Sequence, residues 1–505
     1  MVGAGSSPGF RVSKKRKGIV KMAHIEFLDE TMRDGQQSLW GMRMQAGMAL
    51  PVSPIVDRTG YRVIDLTGSS MFECLIKYCN ENPWEGLDLL VKSMPNTPIR
   101  GGMRSNASVT FGVTPDSLMD AWMRQLNVHG VRSFWIYDVL FNIDKTLRLA
   151  KVAKEFGSEV AGAIMFTLSP VHTDDYYADK ADKLSASGDI DTILLYDTAG
   201  VLEKERLATL LPAIKTKSRG KPIEFHSNNL LGQSAKAYLD AIDLGVDILH
   251  TAVRPMANGP SVPSIEIMAR NIELLGHTHN LDESLFPPVA DHFEKVGKAA
   301  GFLVNQYAEY DVLSIRHQVP GGMVGTLKAQ LVQNGMSDRL DDVLQETAAV
   351  RKELGYPGMA TPFSQLVGTQ AVLNIVTGKR YASIPDEVIQ YAAGFYGDTA
   401  GPIDQNIMDV IMSSPRAKTV VANPPAQPSI EELRKEYGTD DDDELILRAL
   451  VPGEGLEKMR NSGPVKTTYS YLSSPELQEV SRLLKLSQFP VMQISTEDLQ
   501  ISLKR

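Results

Sequence analysis

Between His24 and about Asn280, short apolar runs alternate with segments whose apolar residues recur at helical spacing. Ile25–Phe27, Arg62–Leu66, Phe134–Tyr137, Glu159–Phe166, Thr192–Leu195, Pro222–Phe225 and Asp247–His250 read as strands, and Pro115–His129 and Glu203–Lys215 as helices between them. This alternation predicts parallel strands with crossover helices. Some 250 residues of it suit a closed (β/α)8 TIM barrel, although an open doubly wound sheet has the same local signature. After about residue 290 helical periods dominate, as in Gly325–Asn334, Arg339–Leu354 and Phe363–Val376, so a second, mainly helical domain is expected. A proline break at Asn423-Pro424-Pro425 precedes a helix over Ser429–Tyr437, and the acidic run Asp440–Glu444 reads as a solvated loop or helix start. The expected boundaries are a disordered extension over 1–22, a barrel over 23–290, helices over 291–463 and a tail over 464–505.

Composition narrows the class. The chain has 505 residues, 43% of them apolar and 22% charged, and a net charge of −9, which gives no basic field for nucleic acid. No apolar run is long enough to span a bilayer. Cys74 and Cys79 form neither a disulfide framework nor a zinc module, pointing to a reducing, cytoplasmic compartment. The opening stretch contains Lys14-Lys15-Arg16-Lys17 without the apolar segment of a secretory signal.

In a barrel, chemistry belongs where strands end. Asp29 to Asp34 follow the first strand, Tyr196-Asp197 the strand at 192–195, and His226 to Asn229 the strand at 222–225. Asp34 and His226 are metal-ligand candidates by donor type, with a helix cap and a structural histidine as the alternatives. Arg33 and Arg104 offer guanidinium forks for an anion, against ordinary salt bridging. Pro320-Gly321-Gly322-Met323 reads as a turn where backbone approaches a ligand, or as a domain-linking turn.

These residues resemble the biotin-dependent carboxyltransferase family, which includes the carboxyltransferase component of pyruvate carboxylase, transcarboxylase and the oxaloacetate decarboxylase alpha subunit. The resemblance runs from about Ile25 to Arg460 and rests on Asp29-Glu30-Thr31-Met32-Arg33-Asp34-Gly35-Gln36-Gln37-Ser38, Pro83-Trp84-Glu85, Ser169-Pro170-Val171-His172-Thr173, Pro320-Gly321-Gly322-Met323 and Thr361 to Gln370. It implies a barrel whose mouth holds a divalent metal (zinc, cobalt or manganese) under a helical cap, in a dimer or larger complex. Carboxybiotin on a separate biotin carboxyl carrier protein, charged by a biotin carboxylase subunit, would exchange its carboxyl group with a small 2-oxo acid. By the same resemblance Asp34 and His226 match metal ligands, Gln37 and Arg104 hold substrate, and Gly321 and Gly322 face biotin.

Three departures stand out, and Phe111 adds one more. Tyr196 occupies the place of a carbamylated lysine, and Asn228 that of a second histidine, where an amide oxygen is a weaker donor. Gly325 stands where the family has a proton-shuttling threonine or serine, with Thr326 beside it, and Phe111 replaces a substrate tyrosine. The resulting expectation is a divergent carboxyltransferase with metal on Asp34, His226 and Asn228, and with Arg33, Gln37, Arg104, Tyr196 and Thr326 around the substrate. The alternatives are a biotin-independent lyase or decarboxylase on the same barrel, or a non-catalytic subunit of a carboxylase complex.

Overall fold

The computed structural model describes residues 22–469, 491–495 and 500–504. Eight parallel strands close into a barrel in chain order: β1 (Glu26–Asp29), β2 (Val63–Gly68), β3 (Ile99–Arg104), β4 (Ser133–Tyr137), β5 (Glu159–Met165), β6 (Thr192–Asp197), β7 (Ile223–Ser227) and β8 (Ile248–Thr251). β8 returns to β1 with Leu28 opposite His250 and Asp29 opposite Thr251. Closure removes the edges an open sheet would expose and turns all eight strand ends toward one mouth.

Seven strands fall where the apolar runs predict them. The eighth, β3, does not read as a strand, because Gly101-Gly102 and the arginines flanking them dilute its apolar signal. Packing explains the glycines: a Cβ on Gly102 would lie 2.5 Å from the Trp135 indole, so the strand leaves room for that ring inside the barrel. β6 and β7 also run two residues beyond their apolar runs, carrying Tyr196, Asp197, His226 and Ser227 into the barrel wall.

From Phe286 to Asn461 the chain is helical. The helices Gly321–Gln333, Leu340–Glu353 and Phe363–Thr377 belong to a cap over the barrel mouth. Gly321-Gly322 therefore open a helix rather than form a turn. A second group lies against the barrel's flank. Ser429 caps the helix Ile430–Tyr437 through a reciprocal box with Glu432, and Asp441 caps Asp442–Leu450, so the acidic run is a helix start. There His129 bridges Asp88 at 2.6 Å and Asp443 at 2.9 Å while stacking on Trp84, whose indole N–H donates to the Asp443 carbonyl. One continuous apolar core runs from Ile25 to Val465. In the tail, Val491–Ser495 and Gln500–Lys504 pair antiparallel, elements that no sequence pattern announced. Residues 1–21, most of the expected extension, lie outside the described residues. Among the described residues no helix is long and apolar enough to cross a membrane.

Candidate active site

The interior of this barrel carries a polar column. At its lower end Arg100 binds Glu224 through two nitrogens, at 2.6 and 3.1 Å, and Glu224 also accepts from Thr192 and from His250 Nε2 at 2.9 Å. His250 Nδ1 meets Glu30 Oε1 at 2.8 Å, and Glu30 Oε2 pairs with Arg33 Nη2 at 2.5 Å. Burial alone would raise the Glu30 carboxyl, but Arg33 and the two imidazoles outweigh it and hold it well below the carboxylate range. Burial likewise opposes a charged His250, yet its bonds to Glu224 and Glu30 raise its pKa overall. Buried charges survive only with such partners.

Arg33 links the column to the mouth. Its Nε donates to Asp65 Oδ2 at 3.0 Å and its Nη1 to the Tyr196 hydroxyl at 3.2 Å. Burial lifts the Asp65 carboxyl to about 7, reinforced by Glu30. Tyr137, Trp135, Tyr196 and His226 stack in sequence across β4, β6 and β7, with centroid separations of 4.9, 5.0 and 4.0 Å. The Arg33 guanidinium lies 5.0 Å from the Trp135 ring centre. Arg33 is thus a buried organiser of these rings rather than a surface residue. Burial raises the Tyr196 phenol well above its ordinary value despite Arg33 nearby, so it is neutral.

Above the stack lies a cavity of about 780 Å³ between barrel and cap. Arg33, Asp34, Gln37, Arg104, Phe111, Tyr196, Asn228, Gly321 and Gly322 all line it. Arg104 is the chemically unusual member. Its Nη2 donates to Ser69 Oγ and Ser70 Oγ at 3.1 Å and to the Ser108 carbonyl at 3.3 Å, while its buried Nε and Nη1 have no acceptor. Burial lowers its pKa, with weak opposition from Tyr137 and Glu73, and among the described residues no carboxylate pairs with it. Gln37 is exposed to the cavity. A Cβ on Gly321 would collide with Pro260, whereas one on Gly322 would meet open space. Thr326 belongs to the helix Gly321–Gln333, but its side chain, like the surroundings of Gly325, lies outside the described residues.

The expected metal set was tested on the same geometry. His226 Nε2 is buried without a hydrogen-bond partner, 3.7 Å from Asp34 Oδ1, which leaves one imidazole and one carboxylate oxygen facing each other. Asp34 Oδ2, however, already accepts from Asn228 Nδ2 and Ser261 Oγ at 3.0 Å and from the Val262 N–H at 3.2 Å. Asn228 serves Asp34 as a hydrogen-bond donor, and Tyr196 as a neutral phenol offers no anionic ligand. Two donors do not make a tight site for zinc, cobalt or manganese, so Asp34, His226, Asn228 and Tyr196 do not fit that ion. Sequence reasoning missed Glu30 and His250. The signal was present: each is an ionisable residue at or just beyond the end of a strand that the structure buries completely.

A closed barrel and a helical cap thus enclose a cavity lined by a buried guanidinium that has no carboxylate partner among the described residues. Residues 315–501 match the family described as a conserved carboxylase domain. The chain is 32% identical over 487 residues to a pyruvate carboxylase subunit of Methanocaldococcus jannaschii, covering 95% of this chain and 84% of that one. It is 29% identical over 430 residues to the methylmalonyl-CoA carboxyltransferase 5S subunit of Propionibacterium freudenreichii subsp. shermanii, with 83% and 84% covered. The carboxyl transferase domain of Rhizobium etli pyruvate carboxylase with oxamate and biotin shares the fold at a TM-score of 0.80 and 21% identity, over 90% of this chain and 80% of that one. The Staphylococcus aureus and Bacillus subtilis pyruvate carboxylases are matched over 40% of their length. This chain belongs to the carboxyltransferase subunits of biotin-dependent carboxylases, a family that as a class also uses a metal.

Proposed function

We propose that this subunit moves a carboxyl group between carboxybiotin, held on a separate carrier protein, and a small 2-oxo acid bound in the cavity. The observation that carries the reading is Arg104: a buried cation that lines the cavity without a carboxylate partner among the described residues, and a carboxylate fits its guanidinium fork. Gln37, which lines the same cavity, can donate its amide to the substrate carbonyl. The relatives do not favour a biotin-independent lyase or a non-catalytic subunit.

The reaction breaks the N–C bond of carboxybiotin, releasing CO2 and leaving the electron pair on the ureido nitrogen. The substrate loses a proton from the carbon next to its carbonyl, the enolate carbon bonds to CO2, and the proton ends on biotin. No step is assigned to a metal at Asp34. Tyr196 can meet the enolate instead: its oxygen accepts from Arg33, so its own hydrogen is free to donate to a developing oxyanion. One such donor is worth about 3 kcal/mol in comparable sites. The first N–H groups of the helix Gly321–Gln333 have no acceptor within that helix and can receive the ureido carbonyl.

We also propose carrier and biotin carboxylase chains as partners, in a homodimer or larger complex in the cytoplasm; the naming of the relatives as subunits supports assembly with other chains. We assign the catalytic barrel to residues 23–290 and the cap and flank helices to 291–463. The test is calorimetry with oxamate and pyruvate, followed by decarboxylation of a carboxybiotinylated carrier with and without the 2-oxo acid. Absence of both binding and substrate-dependent turnover in the wild-type chain would refute the reading.

A further inference from the structure

Directly beneath the Tyr196–His226 stack, three side chains from different strand ends bring one atom each to a common point. His226 Nδ1 and His250 Nδ1 are 3.2 Å apart, and Glu30 Oε1 lies 2.8 Å from the latter and 3.3 Å from the former. All three residues are fully buried. Hydrogen bonding satisfies this triangle only at a cost elsewhere. If both Nδ1 atoms donate to Glu30 Oε1, a neutral His226 is left with its lone pair on Nε2, which is buried without a partner and faces the Asp34 carboxylate.

A cation resolves the conflict, because it takes an electron pair from every corner. Bonds of about 2.0–2.2 Å at tetrahedral to octahedral angles separate neighbouring ligand atoms by about 2.8–3.6 Å, a range that contains the observed edges. The surroundings are those of ligands already oriented. His250 turns its other nitrogen to Glu224, which Arg100 holds with two bonds. His226 turns its other nitrogen toward Asp34, and the second oxygen of Glu30 is held by Arg33. Metal-binding histidines regularly carry a carboxylate on the far nitrogen, and ligating carboxylates are themselves hydrogen-bonded.

We propose that Glu30 Oε1, His226 Nδ1 and His250 Nδ1 form a buried three-donor site for one divalent transition ion of the zinc, cobalt or iron(II) class, one layer below the cavity. Two imidazoles and one carboxylate select such ions over magnesium or calcium. The ion would tie β1, β7 and β8 together and fix the hydrogen of His226 on Nε2, facing Asp34. It would not touch substrate, so the proposal stands apart from the reaction assigned above. A second grouping, Glu273, His279 and Glu283, does not qualify: His279 Nδ1 accepts the Leu281 N–H, so its Nε2 keeps a hydrogen between the two carboxylates.

The experiment is elemental analysis of the full-length chain, as purified and after titration with zinc and with cobalt, followed by an anomalous difference map at the absorption edge of the bound ion. The expected result is close to one ion per chain, with the peak in bonding contact with the three named atoms. His250→Gln should weaken retention at least tenfold. No uptake of either ion, a peak between His226 Nε2 and Asp34, or a folded H250Q that keeps the ion as tightly would each overturn the proposal. If H250Q does not fold, the map of the unaltered chain decides.

Discussion

Replacing Arg104 by methionine should change stability and binding in opposite directions. The guanidinium keeps three hydrogen bonds, all from Nη2, while Nε and Nη1 are buried with none. Methionine retains the volume of the stem and removes the charge. The Ser108 carbonyl loses a donor, costing about 1 kcal/mol, and the two serine hydroxyls can turn elsewhere. Against that, each charged donor left without an acceptor carries a penalty of about 1–3 kcal/mol, which the opening of the cavity to water reduces. The net expectation for Arg104→Met without ligand is a gain of about 1–2 kcal/mol, a rise of a few degrees in melting temperature. Binding should move the other way. Loss of a buried Arg–carboxylate pair worth about 2–4 kcal/mol weakens a small anion roughly 30- to 700-fold. Thermal unfolding with and without oxamate, together with calorimetry, measures both effects. A variant that melts below the wild type and binds oxamate undiminished would show that the guanidinium is a structural group and not the anion site.

Gly102→Ala should force its new methyl group against the Trp135 indole and lower stability by about 1–3 kcal/mol, read from the denaturant midpoint; an unchanged midpoint would mean the ring has room to move. Tyr196→Phe should cut carboxyl transfer by about a hundredfold while leaving oxamate affinity within a fewfold, because the lost hydroxyl serves the oxyanion and Arg33 and not the Arg104 anion site. His129 supplies a pH dependence. Burial opposes its charge, but Asp443 and Asp88 raise its folded pKa above the ordinary 6.5. Its contribution is therefore complete below about pH 6.5 and is lost as pH rises through the folded value. The part-exposed clamp is worth about 0.5–1 kcal/mol. His129→Gln should flatten the difference in melting temperature between pH 6 and pH 9, and an unaltered difference would assign it to other groups.

The alternation of apolar runs was enough to place seven strands, because each is buried on both faces and reads as a continuous block. β3 was illegible for a tertiary reason: its Gly102 answers to Trp135, a residue more than thirty positions away. The cavity residues were nameable from resemblance, and Asp34, Arg104, Gln37, Tyr196 and Asn228 do line one space. Their pairings were not. That Asn228 donates to Asp34, that Arg33 is spent on Glu30 and Asp65, and that Arg104 is left free follow from side-chain directions no linear pattern encodes. His250 fell at the end of its predicted strand, but meeting Glu30 at the seam between β8 and β1 is a property of closure.

The charged column inside the barrel constrains how this protein can diverge. Arg100, Glu224, His250, Glu30, Arg33 and Asp65 each hold a neighbour's charge in a place water does not reach. Losing any one removes part or all of a neighbour's compensation, at up to about 3–5 kcal/mol where no second partner remains, a large share of a typical folding free energy. Mutational paths through the column are therefore blocked one step at a time and open only to paired exchanges. Among descendants of this sequence the six positions should be inherited as a block or altered together, while the cavity wall above them is free to adapt to new substrates.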